Sequence, residues 1–147
     1  MFQNTVKKPW LIKKIVLPQH TDHAGVMWHG SYIAWLEEAR IDALFKVGLS
    51  YKKLSDEGFE LPVVALNINY KKSLSHGDEV LLKSWFRNDQ GLRCSWETEF
   101  VSSSQKLFSS ATVDLVLIKK GDSGVRLIRQ RPNYISKAFR ELHNGPT

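Results

Sequence analysis

One cysteine in the whole chain excludes several chemistries. A lone Cys94 cannot close an internal disulfide, and with no Cys-x-x-Cys pair there is neither a thiolate zinc site nor a dithiol redox centre. Long apolar runs are missing too. Nothing approaches the roughly 18 to 20 residues that a membrane helix needs. Lysines at 7, 8, 13 and 14 interrupt the N-terminal segment where a signal peptide would carry its apolar stretch. A cytoplasmic protein with no membrane partner is the expectation. There is also no internal repeat, linker or low-complexity segment, so residues 1–147 read as a single domain.

What is present is core material. Apolar residues make up 42% and charged residues 24%, a balance that excludes disorder and a stapled mini-protein. The formal charge of +6 would normally raise nucleic acid as a partner, but it is unevenly placed. Residues 1–18 hold four lysines and no acid, residues 19–118 are net −3, and residues 119–147 set seven basic against two acidic side chains. No helix-turn-helix, zinc-finger or RNA-recognition signature accompanies that charge, so no nucleic-acid partner is expected.

Periodicity organises the chain. WLIKKIVLP, from Trp10 to Pro18, is dense in β-formers and closes at proline, a first strand. Gln19 to Gly30 follows neither period and reads as a loop. From Ser31 to Val47 apolar residues recur at helical spacing, and Gly48 supplies a stop. That helix is apolar almost all round and must be covered on most sides, as a sheet wrapped around it would do. A short helical turn (Tyr51 to Glu57) leads into strand patterns over 61–72, 78–89, 92–103, 106–120 and 125–130. Alternation is clearest at Leu92, Cys94, Trp96, Thr98 and Phe100. Turn residues fall at 75–78, 88–91 and 121–124, the last two as hairpins, and Pro132 opens a helix from Asn133 to Leu142. The fold class is α+β: a strand, one long helix, then an antiparallel meander.

Chemistry concentrates in the loop ahead of the long helix, His20-Thr21-Asp22-His23-Ala24-Gly25-Val26-Met27-Trp28-His29-Gly30. A carboxylate and imidazoles coincide there with the positive end of a helix whose first amides lack intrahelical partners. Such amides can hold a developing oxyanion. A carboxylate opposite them can act as a general base toward water or as a nucleophile. This is acyl-transfer equipment without a serine or cysteine nucleophile.

The stretch HTDHAGVMWHGSYIAWLEEAR resembles the signature of hotdog-fold acyl-CoA thioesterases of the 4-hydroxybenzoyl-CoA thioesterase-like family. Asp22 falls on that family's catalytic aspartate and Gly25 on its loop glycine. His29 falls where many members have a histidine whose backbone amide polarises the thioester carbonyl. Tyr32, Glu37, Ala39 and Arg40 match the helix signature, and Gly77-Asp78 matches a later turn between strands. Two positions depart: His20 replaces the first acidic residue of the loop pattern, and Ser73 stands near the place of a usual proline.

The resemblance implies a hotdog fold with an antiparallel sheet around one central helix. It implies hydrolysis of an acyl-CoA, aromatic or short-to-medium fatty acyl, with Asp22 and His29 catalytic and no cofactor or metal. Gly25, Trp28, Gly30 and Tyr32 are expected at the substrate. Arg126 and Arg129 are candidates for the phosphates of CoA. A homodimer or homotetramer with interface active sites is implied. A non-catalytic module binding acyl-CoA or acyl carrier protein is the alternative.

Each residue also has a plainer reading. Asp22 alone reads as an Asx-turn residue, His29 as a helix-start residue, and His20 and His23 as loop polar groups. Glu37 and Arg40, one turn apart, read as members of an intrahelical or helix-to-sheet ion pair, with Glu37 and Glu38 as reserve carboxylates. Cys94 reads as a buried inert thiol, and Asp114 interrupts an apolar strand without explanation.

Overall fold

The computed structural model describes residues 7–88 and 91–147. Strand β1 (Trp10–Ile15) is followed by a 3-10 turn (Pro18–His20), the long helix α1 (His29–Lys46) and a short α2 (Tyr51–Asp56). Then come β2 (Phe59–Glu60), β3 (Val63–Tyr70), β4 (Glu79–Arg87), β5 (Arg93–Val101), β6 (Leu107–Val116), β7 (Ile118–Gly121), β8 (Gly124–Leu127) and helix α3 (Asn133–Asn144). A five-stranded sheet runs β1-β4-β5-β6-β3 and a smaller one β2-β7-β8, every pairing antiparallel. No described helix is long and apolar enough to cross a membrane.

The alternation of β5 decides which sheet face packs. Cys94, Trp96, Thr98 and Phe100 are buried, and they meet the buried stripe of α1, namely Tyr32, Trp35, Leu36, Ala39, Ala43 and Leu44. Each large apolar side chain fully removed from water contributes about 1.5–3 kcal/mol. Helix α3 closes the end of this core. Phe139 is fully buried with its ring 5.1 Å from that of Phe86, and the Trp10 indole N–H donates to the Leu142 carbonyl at 2.9 Å.

The α+β arrangement, one sheet packed on one long helix, is the one expected. Four details differ. Helix α1 starts at His29 rather than Ser31, so two loop residues become its first turn. The pattern over 106–120 is two strands, because the chain leaves the large sheet at the buried Leu117 and β7 pairs with the unforeseen β2. Burial alternates at 111, 113 and 115 and then runs on through Val116 and Leu117, so the alternation lapses where the chain changes partner.

Only β4, β5 and β6 form a meander. Strand β3 lies beyond β6 at the far edge rather than beside β4. Finally, α1 is covered along one stripe only. Ile33 and Phe45 are exposed, as are Val63, Val64, Leu66 and Tyr70 of the edge strand β3. Of the expected hairpin turns, Gly121–Gly124 is present, closing β7 onto β8. Asp89 and Gln90 of the 88–91 turn lie outside the described residues, although β4 and β5 pair up to Arg87 and Ser95 on either side of it.

Candidate active site

The loop from His20 to Trp28 is a small built structure. Thr21 and Met27 face each other in an antiparallel bridge, the Asp22 N–H donates to the Val26 carbonyl at 2.9 Å, and the Trp28 N–H donates to the His20 carbonyl at 3.1 Å. Gly25 makes the reversal possible. Its N–H donates to the Asp22 carbonyl at 3.0 Å, and its φ of +83° lies in the region where a side chain is strained. Asp22 Oδ1 accepts from the Ala24 N–H at 2.8 Å and more weakly from the Val26 N–H at 3.4 Å. The plain Asx-turn role is therefore real. It occupies one carboxylate oxygen, and Oδ2 has no hydrogen bond among the described residues.

His20 is the brace of this loop. Its Nδ1 accepts from the Leu17 N–H at 3.0 Å, which places the proton of the neutral ring on Nε2. Its ring stands edge-on to Trp35 at 5.2 Å. Its carbonyl accepts from both the Trp28 N–H and the Ser31 hydroxyl, tying the loop to the helix start. The departure from the acidic residue at this position thus leaves a braced loop.

The second support comes from far along the chain. Met27 N–H donates to the Leu74 carbonyl at 2.7 Å, and Val26 bridges to Ser75. Ser75 belongs to a turn in which its N–H donates to Asp78 Oδ2 at 2.8 Å and Gly77 adopts a φ of +92°. The Gly77-Asp78 turn was legible as a turn. Its position against the Asp22 loop was not.

Helix α1 begins bare. Trp28 is its N-cap residue and gives no side-chain cap, and the first turn holds no acid. Neither the His29 nor the Gly30 amide has an acceptor among the described residues. Two donors and the positive end of the helix dipole are thereby left available beside the Asp22 loop. Trp28 is 44% exposed and meets the His29 ring edge-on at 5.2 Å. His23 is exposed.

Tyr32 differs from its companions. It is a core residue, packed edge-on to Phe100 at 5.3 Å and Tyr70 at 5.0 Å, with burial raising its phenol pKa. Its exposed neighbour Tyr70 lies at the surface, whereas Tyr32 itself is buried.

Arg126 and Arg129 are exposed and line a hollow of about 530 Å³ with Leu127, Ile128 and Gln130. Within one chain they are not brought to the loop. The small sheet joins the chain after α2, beyond the C-terminal end of α1, and an 18-residue helix is roughly 27 Å long. A second hollow of about 690 Å³, between Lys13, Ile15, Leu17, Leu81 and Gln105, touches the loop only at His20. Asp22, Trp28 and His29 line open surface.

The Glu37–Arg40 ion pair is not formed. Glu37 points to solvent, whereas Arg40 turns under Tyr51 into the interior, where desolvation lowers its pKa and its Nε lacks a partner among the described residues. Glu38 pairs instead with Lys14 at 2.9 Å. Cys94 is a buried thiol whose pKa burial pushes up to about 11. Asp114 now has an account: it accepts from the Ser95 hydroxyl at 2.6 Å and from Arg93 at 3.4 Å across β5 and β6. No group of three His, Cys, Asp or Glu side chains gathers as a metal site among the described residues.

Residues 16–141 match the model of the thioesterase-like superfamily. The chain belongs to that superfamily. A Synechocystis protein named as an esterase, sll0410, is 37% identical over 86 residues, covering 58% of this chain and 52% of its own length. This thioesterase-family chain therefore spans about half of that relative. YneP of Bacillus subtilis, named as an acyl-CoA thioesterase, is 26% identical over 125 residues, 85% of this chain and 86% of its own. Among solved structures, the DHNA-CoA thioesterase of Staphylococcus aureus superposes with a TM-score of 0.78 at 28% identity, covering 88% of this chain and 87% of its own. The hotdog architecture is thus shared, and thioester hydrolysis is the chemistry against which the site is to be measured.

Proposed function

We propose that this chain hydrolyses acyl-CoA thioesters at the junction of the Asp22 loop and the first turn of α1. The observation that carries the reading is the pairing of a carboxylate whose Oδ2 is uncommitted with two unpaired helix-terminal amides, those of His29 and Gly30, on one backbone-locked unit. The thioester carbonyl accepts from those amides, which stabilise the oxyanion as it forms; a donor of this kind is worth about 2.7–4 kcal/mol in a dry site. Asp22 either takes a proton from the attacking water or attacks the carbonyl itself, giving an anhydride that water then opens. In both routes CoA leaves as its thiolate and is protonated to the free thiol.

The names of the B. subtilis and S. aureus relatives support CoA as the carrier, and the acyl group is aromatic or short-to-medium fatty acyl. A homodimer completes the site in this reading. Ile33 of α1 and Val63, Val64, Leu66 and Tyr70 of the edge strand β3 form an apolar face that a second copy would cover, closing the open sheet edge. The second copy would also bring Arg126 and Arg129 toward the CoA phosphates, and pairing of dimers would give the tetramer.

The test is thiol release from a panel of aromatic and aliphatic acyl-CoAs by the wild type and Asp22→Asn. Turnover by the wild type and its loss in the variant is the expected result. CoA binding without turnover in either protein would instead establish the non-catalytic module.

A further inference from the structure

Gly30 is an unexplained glycine. Seven other glycines, Gly25, Gly48, Gly58, Gly77, Gly91, Gly124 and Gly145, have positive φ and need glycine for backbone reasons. Gly30 is in the first turn of α1 with ordinary helical geometry, where alanine is the better helix former. The reason lies in its neighbour. A Cβ on Gly30 would clash with the outer edge of the Trp28 indole, at Cη2, Cζ3 and Cζ2. The outer edge of the indole therefore occupies the place where a Gly30 Cβ would stand, a seat that any side chain would fill and from which the indole would have to move.

We propose that Trp28 and Gly30 act as one specificity unit: glycine at 30 is a positioning residue that seats the indole, and the indole's outer face selects the acyl group. This rests on the thioesterase reading above. Three observations support it. The indole is 44% exposed even though its outer edge is pressed on Gly30, so a face is open. The His29 ring stands edge-on to it, at 5.2 Å and 70°, and limits its sideways movement. The unpaired amides of His29 and Gly30 belong to the same turn, so a carbonyl held there places its first acyl carbons beside the indole.

A flat, fixed ring favours a planar conjugated acyl group, which stacks on it, over a flexible alkyl chain. Aromatic pairing of this kind corresponds to about a 2- to 12-fold preference.

The experiment is a double-mutant cycle read as a ratio. The kcat/KM for benzoyl-CoA is divided by that for hexanoyl-CoA in wild type, Trp28→Leu, Gly30→Ala and the double variant, with circular dichroism verifying the fold. Each single change is expected to lower the ratio about 2- to 12-fold, and the double variant to fall no further than either single one. Trp28→Phe combined with Gly30→Ala, a smaller ring over a filled seat, is expected to recover part of the ratio.

Equal loss for both substrates in Gly30→Ala would make the glycine merely structural and overturn the proposal, as would independent, multiplying effects of the two changes. If the wild type releases no thiol, the hydrolase reading fails separately. The same cycle is then run on dissociation constants for the two acyl-CoAs by calorimetry, where coupling upholds the unit and its absence, or absence of binding, removes it.

Discussion

The two ends of α1 are built in opposite ways. At the C-terminal end the last carbonyls are taken up locally. Val47 N–H donates to Ala43 and Leu44, Gly48 to Phe45 at 3.0 Å, and Leu49 to Leu44 at 2.9 Å, with Gly48 at a φ of +79° and Leu49 almost wholly buried. Lys46 stands in the last turn, where the dipole favours a cation, and pairs with Asp42. At the N-terminal end there is no side-chain cap, no acid, and two amides without acceptors among the described residues. Stability is concentrated at one end, and unsatisfied hydrogen-bonding capacity is kept at the other, beside a carboxylate.

The largest effect expected is at the open end. Asp22→Asn keeps the Asx-turn acceptor, so the melting temperature should hold within a few degrees while kcat falls by about 10²- to 10⁴-fold. Thermal unfolding and thiol release on one preparation check both halves, and a parallel loss of stability would contradict the division of labour. At the closed end Leu49→Ala should cost about 2–5 kcal/mol in urea unfolding while the folded fraction keeps its kcat.

Gly48→Ala should follow at about 1–2 kcal/mol, the cost of a side chain at positive φ, again with kcat unchanged. Trp28→Asp inverts the comparison. It supplies the missing cap, worth about 1 kcal/mol to the helix before the lost indole packing is set against it, and it occupies the Gly30 amide, so activity should drop although the helix start is better satisfied.

Cys94 gives the smallest effect. With its pKa raised from 9.0 to about 11 by burial, the thiol stays protonated at pH 8. Iodoacetamide should then label it only after denaturation. The sign for stability follows from the same shift. The contribution is complete below the unfolded thiol's pKa and is lost as pH rises through about 11.

Elements with a strong local pattern were legible from the sequence. The alternation at 92–100 named the buried face of β5, and the Asp22 loop stood out because no period fits it. The start of α1 was read two residues late. Trp28 lacks an N-cap side chain, so the usual signal was absent at a terminus whose amides are left free. Arg40 was taken for the partner of Glu37 because i, i+3 spacing permits the pair; packing under Tyr51 overrode it. The seat of Trp28 on Gly30 involves residues only two apart, yet it depends on a rotamer, and spacing does not encode a rotamer.

By itself, then, the sequence determined the long elements, the inward face of β5 and the loop ahead of α1 as the candidate site, since these follow from backbone periodicity and short-range turn chemistry. Tertiary structure decided three things. It carried β3 past three strands to an open edge, and it set the Ser75–Asp78 turn against Val26 and Met27. It also put Arg126 on the small sheet, paired with Lys119, and Arg129 just beyond it, on elements that follow the C-terminal end of α1. Each is a contact between segments distant in the chain, chosen by which surfaces bury best together, and no local pattern records that choice.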